Sequence, residues 1–142
     1  MKKFYKFTAF LLLLILCFTI SISSAPDKVR VQLNGVEIKF EVDPQIINNR
    51  TMVPLRAISD AIGATLLWSG ENSSILLNLG DTVAMLQINN PNLFKNDEVI
   101  TLDSPPIIIK NRTLVPVRAI CETFGVDVEW NADECLVILT TK

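Results

Sequence analysis

The chain has 142 residues and a formal net charge of −2. Residues 1–25 hold three of the 13 basic residues and none of the 15 acidic residues, so residues 26–142 carry a net charge of −5. A negative charge without a basic cluster argues against nucleic acid and anionic lipid as partners. Histidine is absent and the glycines are scattered singly, which excludes His-based catalysis and a phosphate-cradling loop as usually built, so we expect no catalytic residue, no metal and no cofactor.

The N-terminal segment is typical of an export signal. Three lysines precede an apolar run at residues 7–22, and small residues follow it ("SISSA"). A basic start, an apolar run and a small-residue end are the parts of a secretory signal peptide, and the run is shorter than the about 20 residues that a membrane span needs. We expect a signal peptide at 1–25, a domain at 26–142 and a secreted, extracellular or cell-wall-associated protein without a membrane contact after cleavage. A retained N-terminal anchor is the alternative.

The first predicted element is a hairpin. The stretch "VRVQLNGVEIKFEV" alternates polar and apolar residues around Asn34-Gly35, and Asn-Gly between alternating runs is a strong hairpin signal. A proline-containing segment follows ("DPQIINN"), which we expect to be extended because the residue before a proline avoids the helical region.

A short helix comes next, in the phrase "NRTMVPLRAISDAIG". Pro54 suits a first helical turn, apolar residues then recur at helical spacing, and Gly63 stands where a left-handed cap is needed. The prediction is a helix at 54–62. Since so short a helix is unstable alone, it must pack on strands.

A second hairpin then follows, and the whole hairpin-helix-hairpin pattern occurs twice in the sequence. Residues 48–77 and 110–139 share 11 identities in 30 positions without a gap. The later copy predicts a helix at 116–124, opened by Pro116 and capped by Gly125. Between the copies, "GDTVAMLQINN" alternates like a strand. The prediction is an α+β fold, in which two hairpin-helix-hairpin repeats, at about 29–79 and 91–141, form antiparallel β-sheet packed on two short helices.

Two tryptophans recur at the ends of predicted strands. Trp68 and Trp130 could be platforms for sugar rings, or each could close the core beside its helix. Their place in a motif of core residues favours the second interpretation.

Four arginines recur as well. Arg56 and Arg118 are each followed four residues later by a carboxylate, which favours an ion pair on the helix or a bond to loop carbonyls over a carboxylate-ligand site. Arg50 and Arg112 precede the helices beside asparagines. We interpret these two as loop organisers, with ligand contact as the alternative.

Two cysteines remain after the leader. An exported protein can oxidise such a pair, so Cys121 and Cys135 are a candidate disulfide, with two separate thiols as the default. They fall short of the four ligands of a zinc site.

The doubled motif resembles a known family. "NGVEIKFEVDPQIINNRTMVPLRAISDAIGATLLW" and its second copy "NDEVITLDSPPIIIKNRTLVPVRAICETFGVDVEW" look like the N-terminal stalk domain of some copper amine oxidases, here as a stand-alone secreted member spanning residues 28–141. The sequence departs from that pattern with Asn for Gly before each Arg-Thr, with Cys121, and with Leu67 where Glu is usual. The oxidase's copper centre belongs to another domain, so the resemblance implies an α+β module and no oxidase chemistry.

The resemblance also implies a place in the bacterial cell envelope. We expect a secreted, non-catalytic binding or scaffold module that acts through protein or wall-polymer contacts. The alternatives are a carbohydrate- or peptidoglycan-binding module that uses the tryptophans, and a secreted inhibitor or regulator of an envelope enzyme. Edge strands make a homo-oligomer plausible.

Overall fold

The computed structural model describes residues 28–142, which form an α+β fold rich in strands, and the expected signal peptide at 1–25 lies outside these residues. The elements in chain order are β1 (Arg30–Leu33), β2 (Val36–Glu37), β3 (Gln45–Ile47), β4 (Arg50–Pro54), α1 (Leu55–Ile62), β5 (Thr65–Ser69), β6 (Ser74–Leu79), β7 (Thr82–Gln87), β8 (Asn92–Lys95), β9 (Glu98–Thr101), β10 (Ile107–Ile109), β11 (Arg112–Pro116), α2 (Val117–Thr123), β12 (Asp127–Asn131) and β13 (Leu136–Thr140). Neither helix of this part has the length and hydrophobicity to cross a membrane.

The strands form three sheets. We call them the terminal sheet (β12-β13-β1-β2), the central sheet (β10-β11-β4-β3) and the large sheet (β5-β6-β7-β8-β9). The linker between the copies forms β7, the strand that its alternation predicted. The prediction of purely antiparallel pairing is wrong at one place, because β1 runs parallel to β13, with Arg30 beside Leu136. A parallel pair needs a long crossover, and here nearly the whole described chain connects the two strands.

Both helices begin directly after a strand. Pro54 and Pro116 were expected inside the first helical turn, but each is the last residue of its strand and the helix begins one residue later. The reason is the backbone at these prolines, where ψ values of 120° and 116° are extended rather than helical. Each proline is held in that conformation by pairing in the central sheet, Pro54 with Leu114 and Pro116 with Met52.

Glycines end both helices, as predicted. Gly63 has a φ of 80° at the C-cap of α1, and its N–H donates to the Asp60 carbonyl at 3.3 Å. Gly125 has a φ of 75° and follows Phe124, the C-cap of α2, so that helix ends before the predicted residue 124. The left-handed region suits glycine because it lacks a Cβ.

Two-residue turns join the central hairpins. Asn48-Asn49 connects β3 to β4, and Lys110-Asn111 connects β10 to β11. All four residues have positive φ, between 49° and 63°, as in the type I′ turns that match strand twist. The segments before these turns were predicted only as extended. Asn34-Gly35 forms the predicted turn between β1 and β2, with φ values of 49° and 83°.

The core lies between the sheets and the two helices. Leu55 and Ile58 of α1 and Val117 and Ile120 of α2 are buried, Ile62 and Phe124 at the helix ends are partly buried, and β6, β7 and β8 each contribute fully buried side chains. A smaller cluster of Val42, Met52 and Leu114 lies beneath the central sheet. The largest fully buried residues are Met52, Leu55, Ile58, Ile75, Leu77, Leu86, Leu93, Leu114, Ile120, Leu139, Val31 and Val53.

Candidate functional site

Two grooves open on the surface at positions related by the 62-residue offset. Groove A has a volume of about 1030 Å³ and groove B about 510 Å³. Each is bounded by one helix, one tryptophan-bearing hairpin and the tip of the hairpin that precedes the other helix. The charged and aromatic residues that correspond between them are Glu41, Arg56, Trp68 and Arg112 in groove A, and Asp103, Arg118, Trp130 and Arg50 in groove B.

Both indoles lie at the grooves and are open to solvent. Trp68 is 48% exposed and Trp130 is 43% exposed, so the expectation that each closes the core is wrong. Their strand positions explain the difference. Trp68 lies opposite the buried Ile75, and Trp130 opposite the buried Val137, so each indole is on the core-facing side of its sheet near the end of its strand, where it lines a groove. The exposed indoles keep the sugar-platform alternative open.

Arg50 and Arg112 connect the two halves of the fold. Arg50 Nε donates to Asp103 Oδ2 at 2.9 Å, and Arg112 Nε donates to Glu41 Oε2 at 2.6 Å. Each guanidinium also donates to the carbonyl of the preceding asparagine at 3.2 Å. These hydrogen bonds agree with the interpretation of Arg50 and Arg112 as loop organisers. Both side chains also line a groove.

Glu41 and Asp103 were not singled out from the sequence. The sequence does carry a signal for them, because they are acidic residues 62 positions apart, each just before a proline-containing segment. What the sequence does not indicate is that each carboxylate pairs with the arginine of the other half. Both pairs are largely solvent-exposed, so each contributes about 0–1 kcal/mol to stability.

The arginines on the helices differ from one another. Arg118 Nη1 lies 3.5 Å from Glu122 Oε1 and donates to the Val128 carbonyl at 3.4 Å, in agreement with both structural interpretations. Arg56 makes no ion pair within residues 28–142, so the expected pair with Asp60 is not formed. An exposed i,i+4 pair is worth only a few tenths of a kcal/mol, about 0.2–0.5, which is too little to fix a long side chain. The Arg56 side chain is exposed and lines groove A.

Groove A is larger because the β1–β2 hairpin forms an additional wall. Asn34, Glu37 and Lys39 line that wall, and the corresponding residues of the second half lie in the large sheet, away from groove B. Each groove thus contains its own indole, two guanidinium groups and a carboxylate, but the two grooves differ in volume. Their charges are mixed, which suits a ligand that offers hydroxyls and occasional carboxylates rather than a polyanion.

The two cysteines are free thiols, and the candidate disulfide between Cys121 and Cys135 is not formed. Cys121 faces the core from α2, whereas Cys135 is partly exposed in the turn before β13. Burial, and secondarily the charge of Glu122, raise the pKa of the Cys121 thiol to about 12. Within residues 28–142 no group of three or more Cys, Asp or Glu side chains is placed to hold a metal ion.

One known protein family matches most of the described residues. The sequence model described as "Copper amine oxidase N-terminal domain" matches residues 32–139. The chain belongs to the copper amine oxidase N-terminal domain family. The resemblance predicted from the doubled motif is thereby confirmed. A search of curated proteins found no match.

Every residue that corresponds between the two grooves lies inside the matched range of this copper amine oxidase N-terminal domain, from Glu41 to Val137. The family domain is the non-catalytic N-terminal part of copper amine oxidases, and membership is compatible with a non-catalytic module.

Proposed function

We propose that this domain is a secreted, non-catalytic binding module of the bacterial cell envelope, and that it binds wall polysaccharide in grooves A and B. The observation that supports this most strongly is the exposure of Trp68 and Trp130 at corresponding positions, each beside guanidinium groups. A domain that used these indoles only for its core would cover them.

The chemistry of each groove suits a sugar chain. An indole offers a flat apolar face for the C–H face of a pyranose ring. Arginine and asparagine side chains donate to hydroxyls, and carboxylates accept from them. In groove A, Arg56 adds a guanidinium without an ion-pair partner in the described residues, which fits a carboxylate on the wall polymer.

We infer further that the two halves are copies of one hairpin-helix-hairpin unit. The same strand registers recur at an offset of 62 residues, as in Trp68 opposite Ile75 and Trp130 opposite Val137. A duplicated unit supplies two sites on one chain. Two weak sites that reach the same polymer bind it more tightly than either alone, because the second contact is intramolecular.

Pelleting with purified peptidoglycan tests the proposal. We expect Trp68→Ala and Trp130→Ala each to weaken binding by about tenfold or more, and the double variant to lose it. Ile108→Ala is the control, because Ile108 is an exposed apolar residue that lines neither groove.

Capture from a membrane-protein extract distinguishes the remaining functions. A scaffold, inhibitor or regulator would retain a protein partner in a stoichiometric complex and would leave peptidoglycan in solution. That result, or peptidoglycan binding that survives the double tryptophan substitution, would contradict the proposal. N-terminal sequencing of protein recovered from the culture medium tests export, with the expected start at or near residue 26.

A further inference from the structure

A row of apolar side chains crosses the outer face of the large sheet. Each strand contributes one residue, and each residue lies opposite the next in the strand register: Leu67, Leu76, Met85, Phe94 and Val99. Their exposed fractions are 60%, 39%, 42%, 37% and 58%. Five large apolar side chains in one unbroken line on a surface are characteristic of an interaction site.

The rest of this face carries no charge. By strand alternation, the other outward residues of the five strands are Thr65, Ser69, Ser74, Asn78, Val83, Gln87, Asn92 and Thr101. We call the face formed by these residues and the apolar row the outer face. Apart from the apolar Val83, these surrounding residues are polar and uncharged. An apolar centre without charges is the composition of a protein interface, where charged residues are depleted.

The terminal sheet shows that the fold does not require this composition. The positions that correspond to the row at an offset of 62 residues are also in register with one another: Glu129 opposite Ile138, Ile138 beside Gln32, and Gln32 opposite Glu37. Two of these four residues are acidic and one is an amide. The same positions in one architecture therefore accept charge on one sheet and avoid it on the other.

We propose that the outer face binds a second copy of this chain, with the two large sheets packed face to face. Residues 26–142 carry a net charge of −5, so two copies repel each other wherever acidic side chains oppose acidic side chains. The outer face lets them meet without opposing charges. A charged partner, by contrast, would find no complementary group there.

The size of the outer face sets the strength of this contact. Four strand spacings of about 4.8 Å make the row about 19 Å long, and facing sheets pack about 10 Å apart with interdigitating side chains. The face has fewer residues than the about 20–30 per partner of a standard interface. The dimer is therefore a reversible one that forms as concentration rises, rather than a permanent one.

Dimerisation leaves the grooves accessible. Leu67 and Trp68 are adjacent in β5, so their side chains point to opposite faces of the large sheet. The outer face can be covered while Trp68 stays open in groove A. The dimer is thus independent of the proposed polysaccharide binding, and either can fail without the other.

Sedimentation velocity of the exported protein tests the dimer over concentrations from about 1 µM to about 500 µM. We expect a shift from monomer to dimer mass with concentration, and we expect Leu76→Glu to weaken dimerisation at least about tenfold. Ile138→Glu is the matched control, because Ile138 occupies the corresponding position in the terminal sheet and is expected to leave the dimer unchanged.

Circular dichroism shows whether both variants are folded. If Leu76→Glu does not fold, the pair Leu76→Ser and Ile138→Ser repeats the comparison without introducing charge. A protein that stays monomeric at every concentration would overturn the proposal. A dimer that is lost in the Ile138 variant and kept in the Leu76 variant would overturn it too, since the contact would then lie on the terminal sheet.

Discussion

Val53 and Val115 lie opposite each other in the antiparallel pair of β4 and β11, and both are fully buried. They are 62 residues apart, the offset that relates the two halves. Their flanking pairs, Met52 with Pro116 and Pro54 with Leu114, exchange under the same offset. The register of this strand pair therefore has local two-fold symmetry about the two valines, so each residue of the pair has a counterpart that can be used as a control.

The valine pair itself supplies the first prediction. Val53→Ala and Val115→Ala each remove two methyl groups from the core, and we expect each to lower the free energy of unfolding by about 2–3 kcal/mol. Because the surroundings correspond, the two losses should agree closely, and the double variant should depart from additivity since the residues are in contact. Urea denaturation measures all three. A large loss at one valine and none at the other would contradict the two-fold arrangement.

The local features of the fold could be predicted from the sequence. A helix stripe, a glycine cap or an Asn-Gly turn depends on residues a few positions apart, and α1, Gly63 and the turn at Asn34 lie where expected. The limits of the helices were less accurate. Pro54 is compatible with a first helical turn, yet its pairing with Leu114 holds it in the strand.

The features that depend on distant residues could not be predicted. No local pattern shows that β1 pairs with β13, or that the arginine of one half meets the carboxylate of the other. The exposure of Trp68 has the same cause. A strand-end tryptophan is covered or open according to what packs over it, and the residues that line groove A with Trp68 include Asn111 and Arg112 from the second half.

The turn at Lys110 provides a stabilising prediction. Lys110 has a φ of 49°, and its counterpart Asn48 has a φ of 50°. Asparagine tolerates the left-handed region better than lysine does. We expect Lys110→Asn to raise the free energy of unfolding by about 0.5–1 kcal/mol, and the reciprocal Asn48→Lys to lower it by a similar amount. Thermal denaturation of both variants checks the signs, and a destabilised Lys110→Asn protein would show that strain in this turn is negligible.

The glycine after α2 provides a matched comparison of backbone strain. Gly125 has a φ of 75°, yet a Cβ built there meets no atom within 4 Å. Gly125→Ala should therefore cost stability through its backbone conformation alone, by about 1–2 kcal/mol. Gly70 is the control, because its φ lies outside the left-handed region and its Cβ would make only an ordinary contact with Trp68 Nε1 at 3.7 Å. We expect Gly70→Ala to change stability by less than about 0.5 kcal/mol. Equal losses in the two variants would refute the conformational explanation.

The buried thiol of Cys121 makes stability depend on alkaline pH. Its pKa rises from 9.0 to about 12 in the folded protein, chiefly because burial disfavours the thiolate and also because Glu122 is negatively charged. The unfolded chain loses this proton at lower pH than the folded chain does. The contribution of Cys121 to stability is therefore fully present below pH 9 and is lost as the pH rises toward 12.

Cys121→Ala should lower stability near neutral pH by leaving a small cavity, but its free energy of unfolding should fall less steeply above pH 9. Iodoacetamide labelling of the native protein gives a second measurement, in which the partly exposed Cys135 reacts and Cys121 does not. Equal labelling of both thiols, or identical pH slopes for the two proteins, would show that Cys121 is accessible to solvent.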